Sequence, residues 1–332
     1  MLDEIYPRLL LELSADTLCL SELDTARILA DFAEPAMARR AFGKLLQEMY
    51  ANDPDSEIGL TFGQHLHPPT LCDFSRALMT ADTFQDSLSL ITRFHQIQQA
   101  GFYPMINDRG GRLSIAICFP FKQNVSLYQR RFCCEAIFSY ALNALRETIS
   151  PGIQARHLYF DYPAPKRLHR YEAHFNSPMT FDYPLSIMEL DNSLVQRNLL
   201  SRDKVLHQIY LNKCLDSWRQ SDRLQDFEYR AICCLMRHHP DTFNSHALAD
   251  MLNISVRGLQ KRLSKRGASF SSLATRVRKE LTKLYLLQCR YDIDYTAEKL
   301  GFQTNSGFRR FFKAEFGQTP AEYLQRFIHP SN

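Results

Sequence analysis

Helical spacing of hydrophobic residues dominates the first hundred or so positions. Leu88, Ile91 and Phe94 recur every three residues, directly after Asp82-Thr83, a pair whose side chains commonly begin a helix. One face of such a helix is apolar and the other is polar. The spacing therefore predicts an amphipathic helix that packs its apolar face on a protein core.

Alternation replaces the helical spacing after residue 100. Between residues 113 and 119, large apolar side chains alternate with Ser, Ala and Cys, behind a turn-forming run at 107–111. This pattern predicts a β-hairpin whose other strand is Phe102 to Ile106. Pro104 has no backbone N–H to donate, so we expect that strand at the edge of a sheet.

Further helices and strands extend the same domain to about Asp191. The pattern predicts a helix from Leu127 to Thr148, a strand from Arg156 to Tyr162, a short helix from Pro165 to Phe175, and extended segments from Met179 to Tyr183 and from Leu185 to Leu190. This mixture predicts an α+β N-terminal domain, which we place at residues 1–191. The polar segment that follows, with helical spacing at Leu206 and Ile209, predicts a helical linker at 192–225.

A run of short helices follows the linker. Leu248, Ala249 and Leu252 share one helical face. Asn253 can turn the chain after it, and Ser255 can cap a second helix. This layout predicts a helix-turn-helix, because a small side chain such as Ala249 lets the two helices meet closely. The outer face of the second helix holds side chains that bond bases and phosphates, namely Arg257, Gln260, Lys261, Ser264 and Lys265.

The same arrangement returns about fifty residues later. Ala297, Leu300 and Phe302 lead into a second outer helix. Gly301 fits the turn, because a residue without Cβ adopts positive φ at low cost. The outer face of this helix offers Asn305, Ser306, Arg309, Arg310 and Lys313. We therefore expect two helix-turn-helix units in an all-α C-terminal domain at residues 226–332.

A single long helix is predicted to join the two units. Phe270 to Cys289 has a continuous apolar stripe, and its twenty residues at ~1.5 Å each span about 30 Å. Successive major-groove faces on one side of B-DNA are ~34 Å apart, so one chain could present two helices to adjacent grooves. We expect Arg276 and Lys279 of this linker helix to contact DNA phosphates, together with lysines of the outer helices.

Charge follows the same division of the chain. The 332 residues include 40 Lys and Arg against 36 Asp and Glu, a formal net charge of only +4. Residues 226–332 contain 17 Lys and Arg and 10 Asp and Glu, net +7, which leaves 23 and 26, net −3, in residues 1–225. Positive charge beside the two units favours DNA, a polyanion, as their partner.

Composition argues against several other classes of protein. With 45% hydrophobic and 23% charged residues and no apolar run near the ~18 residues that span a bilayer, we expect no membrane segment. Charged side chains interrupt the first thirteen residues, so no signal peptide is predicted and the cytoplasm is the expected location. Nine cysteines without a C-x-x-C pair favour reduced thiols. His65-Leu66-His67 lacks further ligands, so we expect no metal or other cofactor.

Five segments near the C-terminus combine specific residues at fixed spacing: Leu259–Leu263, Gly267–Phe270, Ile293–Phe302, Phe308–Lys313 and Phe316–Tyr323, the last with a Gly-x-Thr-Pro-x-x-Tyr cap. Together they resemble the signature of AraC/XylS-family transcription regulators. The resemblance implies a DNA-binding domain of two helix-turn-helix motifs joined by a linker helix. By position it implies that the base readers are Arg257, Gln260 and Lys261 in the first unit and Asn305, Ser306, Arg309 and Arg310 in the second.

The N-terminal part is similar to one branch of the same family. Glu57–Leu60, Thr83–Thr92, Ser150–Gly152 and His174–Pro178 resemble the arabinose-binding-type effector domain of the branch that contains ornithine and virulence regulators. This similarity implies a domain that senses a small molecule or mediates dimerisation. The candidate residues for an apolar pocket with an anchor for an anionic group are Arg93, His95, Phe102, Tyr103, Phe119 and Lys122.

Taken as a whole, the resemblance implies a sequence-specific DNA-binding transcriptional regulator, an activator rather than an enzyme. Its expected partners are double-stranded promoter DNA, RNA polymerase, a small-molecule effector and a second copy of the chain. Two alternatives stay open at this point. A DNA alkyl-repair methyltransferase joins a similar helix-turn-helix to a cysteine acceptor, although no cysteine here lies in the Pro-Cys-His-Arg context of those enzymes. A constitutive architectural DNA binder would lack sequence selectivity.

Overall fold

The computed structural model describes residues 9–13, 30, 35–67, 72–94, 102–109, 111–121, 125–220, 227–237 and 243–327. The N-terminal part contains the helices α1 (Pro35–Asn52), α2 (Ile58–His65), α3 (Asp73–Thr80), α4 (Phe84–Phe94), α5 (Leu127–Thr148), α6 (Leu168–Phe175) and α7 (Lys204–Gln220). Its strands are β1 (Tyr103–Arg109), β2 (Arg112–Cys118), β3 (His157–Tyr159), β4 (Met179–Thr180) and β5 (Ser186–Asp191). The predicted α+β fold of this part is confirmed.

Beyond residue 226 the described chain contains helices and no strand. These helices are α8 (Phe227–Arg237), α9 (Ser245–Met251), α10 (Val256–Ser264), α11 (Phe270–Lys283), α12 (Ile293–Lys299), α13 (Asn305–Phe316) and α14 (Pro320–Phe327). A π-helical segment, Leu284–Gln288, continues α11. The predicted all-α C-terminal domain, with a long helix between two helix-turn-helix units, is confirmed.

The five strands form one mixed sheet in the order β1-β2-β5-β3-β4. Neighbouring strands run antiparallel, except for the parallel pair β3 and β4. The hairpin of β1 and β2 is present as predicted, with Ile106 opposite Ile115, and β1 lies at an edge as Pro104 indicates. On the other side of the hairpin, Ile115 pairs with Met188 of the central strand β5.

One face of the sheet packs on the helices of the N-terminal domain. Leu113, Ile117 and Leu190 on this face are almost completely buried. They belong to one apolar cluster with Phe138 and Leu142 of α5. Burial of large aliphatic and aromatic side chains is the dominant favourable term in folding, so this layer forms the core of the domain.

The opposite face is also apolar, and it packs on the C-terminal helices. Successive side chains of a strand point to opposite faces, so Ala116 and Cys118 of β2 point away from the N-terminal core. Both are fully buried, and together with Ile187 they join the same apolar cluster as Leu281 and Leu284. The sheet is therefore the middle layer between two sets of helices.

Polar contacts cross the same boundary. The side-chain amide of Gln288 donates through Nε2 to the carbonyl oxygens of Met105 at 3.3 Å and Ser114 at 3.1 Å. Arg237 donates through Nε to the Tyr103 hydroxyl at 3.2 Å. Buried polar groups need such partners, so these bonds add a specific geometry to the apolar contact between the domains.

The structure corrects several predicted strand boundaries. β4 ends at Thr180 rather than continuing to Tyr183. β1 continues to Arg109, so the hairpin turn is shorter than the predicted run at 107–111. β3 ends at Tyr159 rather than continuing to residue 162. Beyond this strand the Asp161 side chain turns to an ion pair with Arg130, at 3.1 Å between Oδ2 and Nη1.

Helix α7 lies against the N-terminal domain. The sequence predicts a polar connecting helix in the linker at 192–225, but α7 packs along α3. Cys214 on its inner face is buried in one apolar cluster with Phe74 and Phe94. Because α7 packs on the N-terminal domain, this part of the linker segment is an extension of that domain.

Ala116→Leu tests the packed boundary between the sheet and the C-terminal helices. Ala116 is fully buried, and overpacking of a dense core costs ~1–3 kcal/mol. We expect the free energy of unfolding, measured by urea denaturation, to fall by about that amount. The control Ser89→Leu adds a larger side chain to the exposed surface of α4 and should change it by less than ~0.5 kcal/mol. Equal losses in the two variants would contradict this boundary.

Candidate DNA-binding surface

The first helix-turn-helix unit is built from α9 and α10. Between them Asn253 turns the chain at φ 54°, and the Ile254 N–H donates to the Ala249 carbonyl at 3.0 Å. The Ser255 hydroxyl then accepts from the Gly258 N–H at 3.1 Å and caps α10. The predicted turn and cap are both present, because short polar side chains at these positions complete the backbone hydrogen bonding.

The second unit repeats this construction with α12 and α13. Gly301 turns the chain at φ 73°, and the Phe302 N–H donates to the Ala297 carbonyl at 3.0 Å. The Thr304 hydroxyl accepts from the Gly307 N–H at 3.1 Å and caps α13. The positive φ expected for Gly301 is confirmed.

The two outer helices correspond position by position. Phe308 and Phe312 of α13 lie 49 positions after Leu259 and Leu263 of α10, and all four side chains are fully buried. At the same spacing, Arg257, Gln260, Lys261 and Ser264 correspond to Ser306, Arg309, Arg310 and Lys313. Equivalent outer positions of the two helices therefore hold four pairs of the predicted DNA contacts.

All ten predicted DNA contacts are exposed. They lie on the outer sides of α10 and α13, with Lys265 directly after the end of α10. Asn305 already has an internal partner, since its Nδ2 donates to Asp294 Oδ1 at 2.7 Å. A base that bonds to Asn305 must therefore compete with this carboxylate.

The linker helix α11 holds two of its basic side chains in ion pairs. Arg276 Nη2 lies 2.5 Å from Glu228 Oε1, and Lys279 Nζ lies 3.1 Å from Glu315 Oε2. The sequence analysis expected both cations to contact DNA phosphates. Each cation pairs with a carboxylate of a neighbouring helix, so a DNA phosphate that contacts either cation must compete with that carboxylate.

Arg278 connects α11 to the turn of the second unit and to Phe243, which lies just before α9, and sequence reasoning missed it. Its Nε donates to the Leu300 carbonyl at 3.0 Å. Its guanidinium carbon lies 4.6 Å from the ring centroid of Phe243 and 4.8 Å from that of Phe302, within cation–π distance. Burial lowers the pKa of Arg278. A lone Arg beside an apolar stripe gives no sequence signal for such a contact.

The four described residues among those predicted to bind an effector lie in different surroundings. Arg93 is exposed, and its guanidinium carbon lies 4.9 Å from the Phe94 ring centroid. Phe102 is half-buried and packs on the N-terminal core. His95 and Lys122 lie outside the described residues.

Two other members of that set lie near the C-terminal helices. Tyr103 is buried where Arg237 donates to its hydroxyl, and burial raises the pKa of Tyr103 to about 12. Phe119 lines a cleft between the sheet and α11. Among the described members of the predicted effector set, Phe119 is thus the one that lines this cleft.

All eight cysteines in the described residues are free thiols. Two of them, Cys133 and Cys134, are poorly suited to accept an alkyl group. Burial raises the pKa of Cys133 to about 12 and also raises that of Cys134. The nucleophile in such a transfer is the thiolate, which a raised pKa disfavours. Within the described residues, no group of three or more His, Cys, Asp or Glu side chains could hold a metal ion.

No helix in the described part of the chain is both long enough and apolar enough to cross a bilayer.

Comparisons with known proteins match both parts of the chain. The family described as the arabinose-binding domain of AraC transcription regulators, N-terminal, matches residues 19–199, and a helix-turn-helix domain family matches residues 248–326. The ornithine utilization regulator of Pseudomonas aeruginosa is 21% identical over 305 residues, 91% of this chain and 89% of that protein. The transcriptional activator AggR of Escherichia coli is 32% identical over 80 residues, 24% of this chain and 30% of that protein. These families and relatives are transcription regulators rather than enzymes.

One solved structure also aligns with the chain. The crystal structure of the transcriptional regulator CdpR from Pseudomonas aeruginosa aligns over 96% of this chain and 97% of that chain, with a TM-score of 0.48 and 18% sequence identity.

Gly301→Val tests the turn of the second unit. A β-branched residue at φ 73° is strained by ~1–3 kcal/mol, so we expect a lower melting temperature and weaker DNA binding. The control is Gly301→Asn, because Asn253 adopts φ 54° at the equivalent turn of the first unit. Asn should retain most of the stability that Val loses. Equal behaviour of Val, Asn and Gly would contradict the positive φ at this position.

Arg278→Ala tests the connection between α11 and the second turn. The change removes a charge-assisted hydrogen bond and contacts to two rings, so we expect the free energy of unfolding to fall by about 2–3 kcal/mol. Arg309→Ala, which removes an exposed guanidinium from α13, should change it by less than ~0.5 kcal/mol. Urea denaturation measures both values. A loss no greater than in Arg309→Ala would mean that Arg278 does not stabilise the turn.

Proposed function

The chain belongs to the AraC family of transcription regulators, and from that premise we propose that it binds promoter DNA sequence-specifically and activates transcription by RNA polymerase in response to a small molecule. The observation that carries this proposal is the pair of matched outer helices, α10 and α13. Both expose polar and basic side chains and bury equivalent apolar positions. A single bipartite DNA contact follows from two such helices on one chain.

The two outer helices enter neighbouring major grooves in this proposal. The linker helix and its π-helical continuation span Phe270 to Gln288, about 28 Å at ~1.5 Å per residue. That length is close to the ~34 Å between successive groove faces on one side of B-DNA. Arg278 and the ion pair of Lys279 with Glu315 support a fixed position of α13 against the linker helix.

Side-chain chemistry divides the ten exposed residues into two roles. Arg and Lys pair with guanine, and Gln and Asn pair with adenine, in the major groove. We assign base contacts to Arg257, Gln260, Lys261, Asn305, Ser306, Arg309 and Arg310. Ser264, Lys265 and Lys313 lie later along the helices, and we assign them to phosphates.

The domain assignment follows the chemistry of each part. We place an effector and oligomerisation domain at 1–191, a helical linker at 192–225 and the DNA-binding domain at 226–332. Activation is supported by three relatives named as activators, each of which is similar to this chain over 80 residues. A protein that binds a promoter must be in the compartment that contains the chromosome, which agrees with the expected cytoplasmic location.

Dimerisation is proposed through helix α7. Val205, Leu206 and Ile209 of α7 are exposed, Val205 to 70%, and Leu200, which lies before the helix, is 72% exposed. Exposed apolar side chains grouped along one segment are candidates for a contact surface. A second copy of the chain is the proposed occupant, since two-fold dimers match paired half-sites in operators.

Arg257→Ala and Gln260→Ala test sequence-specific binding. On duplexes selected by the wild-type protein from a random library, each variant should lose about 1–3 kcal/mol of binding free energy and its preference at one base position. Lys166→Ala removes a positive charge from the N-terminal domain and should leave both quantities unchanged. Unchanged affinity and preference in both Arg257→Ala and Gln260→Ala would contradict the assignment of α10.

The same assay separates a regulator from an architectural DNA binder. Contacts to ~6–8 phosphates give a log–log salt slope of about −5 to −7 for either protein. A regulator also selects one sequence over competitor DNA, whereas an architectural binder enriches none. If the selection from the random library enriches no sequence, the proposed function is overturned and the architectural alternative is favoured.

Ile209→Glu tests the proposed dimer surface. A carboxylate in an apolar contact is costly to bury, so we expect a shift from dimer to monomer in analytical ultracentrifugation. Gln208→Glu adds the same charge to a neighbouring exposed position of α7 and should shift the equilibrium less. A wild-type protein that is monomeric at micromolar concentration would contradict this surface.

A further inference from the structure

A cleft of about 220 Å³ lies between the sheet and the linker helix α11. Its apolar wall includes Ile117, Phe119 and Leu185 of the N-terminal domain. On the other side it is lined by two residues of α11. The cleft is therefore shared by the effector domain and by the helix that joins the two DNA-binding units.

Four charged side chains line the same cleft as two ion pairs. Arg130 Nη1 lies 3.1 Å from Asp161 Oδ2 in the N-terminal domain, and Lys283 Nζ lies 2.7 Å from Glu280 Oε1 on α11. The side chain of Asp161 is 9% exposed, and those of Glu280 and Lys283 are 14% and 18% exposed. The lining has two positive and two negative groups, so its formal charge is zero.

We propose that this cleft binds a small zwitterion of the amino-acid type, with the ligand carboxylate at Lys283 and Arg130 and the ligand ammonium at Glu280 and Asp161. This assignment rests on the proposed effector-sensing function and names the chemical class of the effector. The apolar wall then receives the side chain of the ligand chiefly at the half-buried Phe119, because Ile117 and Leu185 are each only 2% exposed.

Charge balance favours a zwitterion over a singly charged ligand. A half-buried charge is costly unless it is paired. A carboxylate alone that enters between Lys283 and Glu280 leaves the Glu280 carboxylate without its partner, and an amine alone does the same to Lys283. A molecule with both groups exchanges partners with the ion pairs and leaves every charge paired.

The protonation state of Lys283 supports this exchange. Burial lowers the pKa of Lys283, but the neighbouring Glu280 carboxylate, together with Cys118 and Asp161, outweighs this effect, so the pKa lies above its usual value. The side chain therefore stays cationic near neutral pH. A cation at this position is what a ligand carboxylate requires.

Size restricts the ligand to a small metabolite. The volume of the cleft is about 220 Å³. Drug-sized molecules occupy pockets of about 300–1,000 Å³. An amino acid with a short aliphatic side chain fits the smaller volume.

Binding at this place couples the effector to DNA binding. The ligand touches Arg130 and Asp161 on one domain and Glu280 and Lys283 on the other, so its affinity depends on how α11 lies against the sheet. A ligand shifts a conformational equilibrium only by its difference in affinity for the two arrangements. Ligand binding therefore stabilises the present packing of α11 and the orientation of the helices attached to it.

Thermal unfolding of the full-length protein with the common L-amino acids tests the proposal. For each amino acid the matched probes are the amine and the acid that lack one of its two charges, such as 3-methylbutylamine and 4-methylpentanoate for L-leucine. At about 100 times its Kd, at least one amino acid should raise the melting temperature by about 3–6 °C. Its two singly charged probes should change it by less than about 1 °C.

Variants of α11 test whether the stabilisation by the amino acid arises from binding in the cleft. Lys283→Gln should weaken amino-acid binding at least ~30-fold, because it leaves one ligand charge unpaired. The double variant Glu280→Gln with Lys283→Met removes a complete ion pair and guards against simple loss of folding, since removing both partners is often tolerated. It should keep its DNA affinity and lose the response to the amino acid. Arg156→Gln, which breaks the exposed pair with Asp191 away from the cleft, should respond like the wild type.

Three outcomes would overturn the proposal. They are the lack of a shift with any amino acid, an equal shift with a singly charged probe, and a shift that persists in the double variant. Binding to library-selected DNA is measured on the same preparations. If DNA binding is intact when one of these three outcomes is observed, the cleft assignment fails but the proposed regulator function stands. If the wild-type protein shows no selective DNA binding, the proposed function itself fails.

Discussion

A sheet that is apolar on both faces must be covered on both faces, and the architecture of this chain follows from that constraint. The large side chains Leu113 and Ile117 pack on the N-terminal helices, whereas Ala116 and Cys118 on the same strand are buried towards the C-terminal helices. Small side chains on the second face let helical backbone approach the sheet closely. The C-terminal domain is therefore a structural layer of the fold as well as a DNA-binding module.

The linker helix α11 carries this constraint to the DNA-binding surface. Its π-helical end lies on the sheet and donates through Gln288 to two strand carbonyls. Its middle holds the turn of the second unit through Arg278, and Arg276 pairs with Glu228 of α8. One helix thus contacts the effector domain and both DNA-binding units, so a change in its packing on the sheet reaches both. Interfaces that are apolar and extensive oppose free domain motion, which makes this coupling strong.

Local patterns predicted most elements, and long-range packing explains what they missed. Helix α5 spans Leu127–Thr148 as predicted, because a helical stripe and a terminal Pro-Gly are local signals. The turn at Gly301 was predictable for the same reason. The small residues of β2 resemble an ordinary solvent-facing pattern, and the sequence does not show that a distant helix covers them. The roles of Arg278 and Lys279 depend on partners that are remote in sequence, so only the assembled structure reveals them.

Native-state hydrogen exchange of the full-length protein in increasing urea tests the shared sheet most directly. Backbone amides open with the free energy of the cooperative unit to which they belong. If the C-terminal helices complete the sheet, the amides of β2 and of the segment Leu284–Gln288 should open with the same free energy and the same dependence on urea. Opening of Leu284–Gln288 at a clearly lower free energy, while β2 stays protected, would contradict the account.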